Sequence, residues 1–110
     1  MSKYHNKKVT VDGIQFDSIR EAQRYGELKL MEKTGLITHL KLQVPFEVLP
    51  AYRDKITGKV IERAVTYRAD FAYHDAAGRL VVEDAKGKRT PDYIIKRKLM
   101  RWKGIPIVEV

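Results

Sequence analysis

Three charged residues in one short stretch could do chemistry together. In "YRADFAYHDAAGRLVVEDAKG", Tyr67 to Gly87, Asp70, Asp84 and Lys86 fall where strand side chains should be packing. The stretch reads as two strands joined at "DAAG", so the strands are antiparallel neighbours. Folding about Ala76-Ala77 sets Asp70 opposite residue 83 or 84, and a bulge can shift that by one. Two carboxylates so close repel unless a proton or a cation intervenes. Mg²⁺ suits this arrangement, since it takes oxygen ligands and needs only one or two protein carboxylates. Asp70, Asp84 and a backbone carbonyl near Ala85 would hold it. Lys86, two residues from Asp84 and on the same face, would orient a water and stabilise negative charge on a phosphodiester.

Spacing alone does not select this reading. A D/E-x-K triplet occurs by chance about once in a chain of this length at ordinary composition. Glu27-Leu28-Lys29 is a second match, but it lies in a helical segment, where residues two apart face differently. Asp84 and Lys86 also suit an ordinary ion pair at a sheet rim.

The elements that position these residues are legible in the hydrophobic pattern. "VTVDGIQFDS" reads as a hairpin turning at Asp12-Gly13. "SIREAQRYGELKLMEKTG" reads as an amphipathic helix. Ser18 is its N-cap, Glu21 stands at the capping-box position, Ala22, Tyr25 and Leu28 form its inner face, and Thr34-Gly35 ends it. Glu21 also lies at the edge of the face that packs on the sheet, within reach of a metal at the rim. "LITHLKLQVPFEVLP" alternates, with Leu40, Leu42, Val44, Phe46 and Val48 on one side and Pro45 marking an edge or bulge. "AYRDKITGK" is expected to turn. "VIERAVTYRADFAYH" is expected to form one long strand, with Val65, Tyr67, Ala69, Phe71 and Tyr73 on one face and Arg68, Asp70, Ala72 and His74 on the other. "RLVVEDAK" follows as a strand. Thr90-Pro91 opens a second helix, with Ile94, Ile95, Leu99 and Trp102 as its expected apolar stripe. Gly104 ends it and "IPIVEV" is a last strand. The order predicts an α/β sandwich around a mixed sheet.

Composition narrows the function. The 110 residues allow one domain, residues 1–110, with 1–17 as an N-terminal hairpin extension. No cysteine is present, which excludes disulfides and thiolate metal sites. No apolar run suits a membrane span or a signal peptide, so no membrane partner is expected. The net charge of +8 favours a polyanionic partner. Lys86 to Lys103 holds eight Lys/Arg against one acid, Asp92, and thus most of that excess. His5, His39 and His74 are scattered and read as surface residues.

Taken together, these motifs resemble the PD-(D/E)XK nuclease superfamily. More narrowly, "FDSIREAQRYGELKLMEKTGLITHLKLQVPFEV", "YRADFAY", "VVEDAKG" and "YIIKRKLM" resemble a small phage and prophage family, DUF1064. The pattern is similar to Holliday-junction resolvases and to the nuclease subunit of Tn7-type transposases, and it covers residues 14–110. The resemblance implies a restriction-endonuclease-like αβββαβ core, with a mixed central sheet flanked by helices. It implies metal binding by Asp70, Asp84 and Glu21, catalysis by these three with Lys86, and Gln43 as an accessory site residue. It implies DNA contacts from Lys88, Arg89, Lys96 and Arg97. Ala69 stands where the motif has proline, and Asp84 is shorter than the glutamate alternative.

The expected function is a Mg²⁺-dependent endonuclease, with Mn²⁺ able to substitute, acting on branched DNA in the manner of a Holliday-junction resolvase. Two active sites per junction imply a homodimer. The setting is the cytoplasm of a bacterial host, the protein being phage or prophage encoded. The alternatives are a nicking or strand-end nuclease in a phage replication or packaging complex, and a non-catalytic recombination accessory on a nuclease fold.

Overall fold

The computed structural model describes residues 8–85 and 89–110. Lys86 and Lys88, and His5, lie outside the described residues. The chain begins with a hairpin, β1 (Val9–Val11) and β2 (Ile14–Phe16). Its turn residues Asp12 and Gly13 both have positive φ, 53° and 76°. This is the left-handed pair that matches strand twist, and it is why Asp-Gly stands there. The hairpin lies against the core: Phe16 is buried, its ring 5.0 Å from Tyr25, and the Tyr25 hydroxyl donates to Asp12 Oδ2 at 3.0 Å.

Helix α1 (Ile19–Lys33) follows. Ser18 Oγ accepts from the Glu21 amide at 3.1 Å, satisfying one of the amides that an N-terminus leaves bare. At the other end Gly35 takes φ 84°, and the Leu36 amide reaches back to the Met31 carbonyl at 2.9 Å. Glu21, Ala22, Tyr25 and Leu28 are the helix's buried residues.

Four strands form the central sheet in the order β3 (Thr38–Leu49), β6 (Val65–His74), β7 (Leu80–Asp84), β8 (Ile107–Glu109). β3–β6 and β6–β7 are antiparallel, while β7–β8 is parallel. Helix α2 (Pro91–Trp102) makes the crossover a parallel pair requires, with Thr90 Oγ1 capping the Tyr93 amide at 3.1 Å. This is a mixed α/β fold with a mixed central sheet and two helices among the described residues. No helix among them is long and apolar enough to cross a membrane. Pro45 lies on β3, an edge strand, where its missing N–H is tolerated.

Three expectations need correction. The strand expected over 60–74 is divided. β3 stops at Leu49 before Pro50, so residues before Val65 lose their partner. Val60–Glu62 (β5) pairs instead with Tyr52–Arg53 (β4), making "AYRDKITGK" part of a second hairpin rather than a turn alone.

The faces of β3 and β6 are not continuous either. Phe71 and Tyr73, with Leu40 and Leu42, pack in the cluster with α1. Tyr67 and Ala69, with Val44, Phe46 and Val48, pack in the other cluster with Tyr93 and Met100 of α2. Ala72 and Val82 belong to the α2 cluster while Phe71 and Val81 belong to the α1 cluster, so the two clusters lie on opposite faces. Both strands therefore exchange faces between Leu42–Phe71 and Val44–Ala69, although the pairing on either side keeps one register. Gln43 and Asp70 sit at the exchange, and Gln43 has φ 52°. One residue in the left-handed region redirects every side chain beyond it, which strict alternation cannot anticipate.

Helix α2 is also rotated from the expected stripe. Tyr93 and Met100 are buried, whereas Ile95 is 58% and Trp102 89% exposed. Tyr93 wins the inward position because its ring meets Tyr67 (centroids 6.3 Å apart) while its hydroxyl reaches Glu109 at 2.7 Å.

Candidate active site

The site lies where β6 changes face, beside the end of β7. The ladder runs Tyr73–Val81, Ala72–Val82, Phe71–Glu83, so its next step brings Asp70 beside Asp84. This is the neighbourhood the hairpin register predicts. The Ala85 amide donates to Asp70 Oδ2 at 2.8 Å. Gln43 Nε2 donates to Glu21 Oε2 at 3.0 Å and approaches Asp70 Oδ1 at 3.5 Å. Glu21, Asp70, Asp84 and Gln43 thus come from α1, β6, β7 and β3 and meet at one place.

Each acid is held differently. Glu21 is buried and spans two roles: Oε1 accepts from the Asp17 amide at 3.3 Å at the helix start, while Oε2 faces Gln43. The capping role and the site role coexist, one for each oxygen. Asp84 is buried, 2% exposed, and accepts from the Tyr67 hydroxyl at 2.6 Å. That tyrosine's own pKa is pushed up, by burial first and then by the Asp84 carboxylate. Asp70 is half-buried. Burial, then the charge of Asp84, then that of Glu21 raise its carboxyl to about 7, against the opposing pull of the Ala85 amide.

Burial and two neighbouring acids both disfavour charge on Asp70, and a cation bound there would favour it. The donor set is all hard oxygen, the chemistry Mg²⁺ and Mn²⁺ take. Among the described residues no three His, Cys, Asp or Glu side chains already stand in ligand geometry. Glu21, Asp70 and Asp84 instead spread onto Gln43, the Ala85 amide and Tyr67. Acids that repel one another relax onto protein donors in this way.

Gln43 holds a left-handed conformation at this point, a cost of about 1–3 kcal/mol. Gln43→Val should destabilise the protein by a further amount of about that size, because a branched Cβ is least tolerated at positive φ. Gln43→Gly should relieve the backbone and lose only the side-chain amide contacts to Glu21 and Asp70. Urea unfolding of the two variants separates the two contributions.

Two constellations lie next to the site with no counterpart in the motif reading. On the α1 side, Glu83 is 1% exposed and takes a two-pronged bond from Arg24, 2.8 Å at Nε and 2.7 Å at the terminal nitrogen. The Tyr73 hydroxyl also donates to it, and Arg24 extends to Glu27 at 2.9 Å. Arg24 is one turn beyond Glu21, so this clamp sets α1 at the height that presents Glu21 to Gln43. The sequence carries only the need, since an acid inside "LVVED" calls for a cation, and not which of the basic residues answers it.

On the α2 side, Glu109 pairs in register with Asp84. It accepts from Arg89 at 3.1 and 2.5 Å and from Tyr93 at 2.7 Å, with Arg97 at 3.9 Å. Arg89, foremost, and Tyr93 hold the Glu109 carboxyl below its usual range. Of the four expected DNA contacts, Arg89 and Arg97 therefore face Glu109, and Lys96 faces Asp92 at 3.4 Å. Lys88, like Lys86, is not among the described residues. The histidines are less scattered than the sequence implied. His39 and His74 meet edge to face at 5.3 Å, with His74 Nδ1 buried.

Comparison with curated proteins gives no match, and comparison with solved structures gives none. The family model described as "Protein of unknown function (DUF1064)" matches residues 1–108, and the chain belongs to that family.

Proposed function

We propose that this protein is a Mg²⁺-dependent endonuclease that hydrolyses phosphodiester bonds in branched DNA, with four-way junctions as its preferred substrate and a restriction-endonuclease-like core. The observation that carries the reading is the meeting of Glu21, Asp70 and Asp84 at the point where β6 changes face, with the Asp70 carboxyl raised by burial first and then by its acidic neighbours. A binding protein has little use for acids placed where phosphates must approach.

In this reading Asp70 and Asp84 hold the cation, and Glu21, oriented by Gln43, assists. Mg²⁺ bound there supplies charge neutralisation and Lewis-acid polarisation of the phosphate. Tyr67 fixes the Asp84 carboxylate, which spares it reorientation during turnover. To Lys86 the motif resemblance assigns stabilisation of the negative charge that grows on the phosphate. Arg89, Lys96 and Arg97 exchange their carboxylate partners for backbone phosphates, and the motif resemblance adds Lys88 to the set. Such contacts position the DNA without reading its sequence. A homodimer supplies the two cuts a junction needs, in the cytoplasm of a phage-bearing bacterium.

A second reading, a DNA-binding accessory without catalysis, draws on the lack of a ready-made ligand trio among the described residues. One experiment separates them. Labelled four-way junction, splayed duplex, linear duplex and single strand are incubated with Mg²⁺, Mn²⁺ or EDTA, with Asp84→Ala beside the wild type. Junction-selective cleavage that needs metal and disappears in the variant supports the proposal. Cleavage of all substrates alike keeps the nuclease and removes the resolvase. Tight binding indifferent to EDTA, with no cleavage in either metal, overturns it in favour of the accessory.

A further inference from the structure

Trp102 is the only tryptophan in the chain, and it is 89% exposed. A large aromatic that could fill a core instead stands in water, since Tyr93 and Met100 occupy the inward face of α2. With Lys98 and Arg101 it lines a groove of ≈ 360 Å³. Ile95, 58% exposed, Lys98 and Trp102 share this outer face by their helical spacing.

The charges here differ from those at the start of the helix. Lys96 faces Asp92 and Arg97 faces Glu109. Lys98, Arg101 and Lys103 have no ion pair among the described residues, and the sequence from Tyr93 to Lys103 contains no acid. The negative end of the helix dipole favours a base in the last turn, which accounts for Arg101. It does not account for an exposed tryptophan beside it.

We infer that Trp102, Lys98 and Arg101 form a stacking platform for an unpaired base of a single nucleic-acid strand. An indole offers a face to any base, and flanking cations hold the adjoining phosphates. Arg101 can add a cation–π contact. Duplex bases are already stacked on one another, so the surface selects an unpaired strand. A second copy of this chain is the poorer occupant: a two-fold contact would bring Lys98, Arg101 and Lys103 against their own images. The platform goes beyond the proposed nuclease reading and does not depend on cleavage.

The test is made in EDTA, which silences any metal-dependent reaction. The intrinsic emission of Trp102 is followed during titration with an oligothymidylate of about 12 nucleotides, and with an abasic deoxyribose-phosphate oligomer of equal length. Affinities of wild type, Trp102→Ala, Trp102→Phe and Lys98→Ala/Arg101→Ala are read by anisotropy of the labelled oligomer. Stacking predicts strong quenching by the oligothymidylate and little by the abasic strand. It predicts an affinity loss of about tenfold in Trp102→Ala, most of it recovered in Trp102→Phe. The double variant loses affinity for both oligomers. The inference is overturned by equal quenching from both oligomers, by unchanged emission on binding, or by unaltered affinity in Trp102→Ala. Concentration-dependent dimerisation that Trp102→Ala abolishes would overturn it in favour of a contact between copies.

Discussion

Asp70→Asn is expected to make the protein more stable at pH 8, no different at pH 3, and inactive. The carboxyl of Asp70 is raised from an ordinary 3.8 to about 7 by burial and by Asp84 and Glu21. An acid whose folded pKa lies above its unfolded value binds its proton more tightly when folded. Its stabilising contribution is complete below the unfolded pKa, declines as pH rises from about 4 to about 7, and is absent above. The full displacement would amount to about 4 kcal/mol, and access of water at this half-buried site trims it to about 1–2 kcal/mol. Asparagine removes the charge and keeps an oxygen for the Ala85 amide. Thermal unfolding of both proteins between pH 3 and pH 8 should therefore give curves that coincide at the acid end and separate above pH 5. Mg²⁺ should raise the wild-type midpoint at pH 8 and leave the variant unmoved, since only a bound ion stabilises by mass action. Cleavage in the variant should fall on the order of 10³-fold, the equivalent of several kcal/mol of charge stabilisation. An Asp70→Asn protein less stable than wild type at pH 8 would show that the three acids do not repel as the geometry implies.

Glu83→Ala is expected to have the largest effect on folding. Glu83 is 1% exposed and meets both prongs of Arg24 and the Tyr73 hydroxyl. The Glu83 hydrogen bond raises the Arg24 pKa, so the guanidinium stays charged. Removing Glu83 leaves a partly buried guanidinium with only the exposed Glu27 and takes the acceptor from the Tyr73 hydroxyl, a cost of about 3–5 kcal/mol. For a domain of this size that lowers the melting midpoint by about 12 °C or more. Arg24→Met with Glu83→Leu should restore much of the loss, because the desolvation penalty leaves along with the attraction. The double variant also isolates the clamp's positioning role. Stability recovered without activity would show that Arg24 and Glu83 hold α1 in the register that presents Glu21. Equal recovery of both would make the clamp a stability element only. A double-mutant cycle followed by urea unfolding gives the coupling directly.

The part of this protein that local chemistry decides was legible in its sequence. Asp12-Gly13, Ser18, Thr34-Gly35, Thr90-Pro91 and Gly104 each impose a turn or cap through nearby backbone, so the first hairpin and the two helices followed from them. The neighbourhood of Asp70 and Asp84 followed too, since a short turn leaves an antiparallel pair little choice of register. The tertiary structure alone decided three things. One is the exchange of faces at Gln43 and Asp70, because whether a non-glycine residue takes positive φ depends on what both sides of the sheet must cover. Another is the rotation of α2. Tyr93 and Trp102 are alike as hydrophobic residues, and only Tyr67 and Glu109, distant in the chain, favour burying the tyrosine. The last is the partnering of charge. Glu83 with Arg24 and Glu109 with Arg89 join residues 59 and 20 positions apart, and an ion pair leaves no periodic trace in sequence. Those long-range pairs decide which charged residues hold one another across the fold.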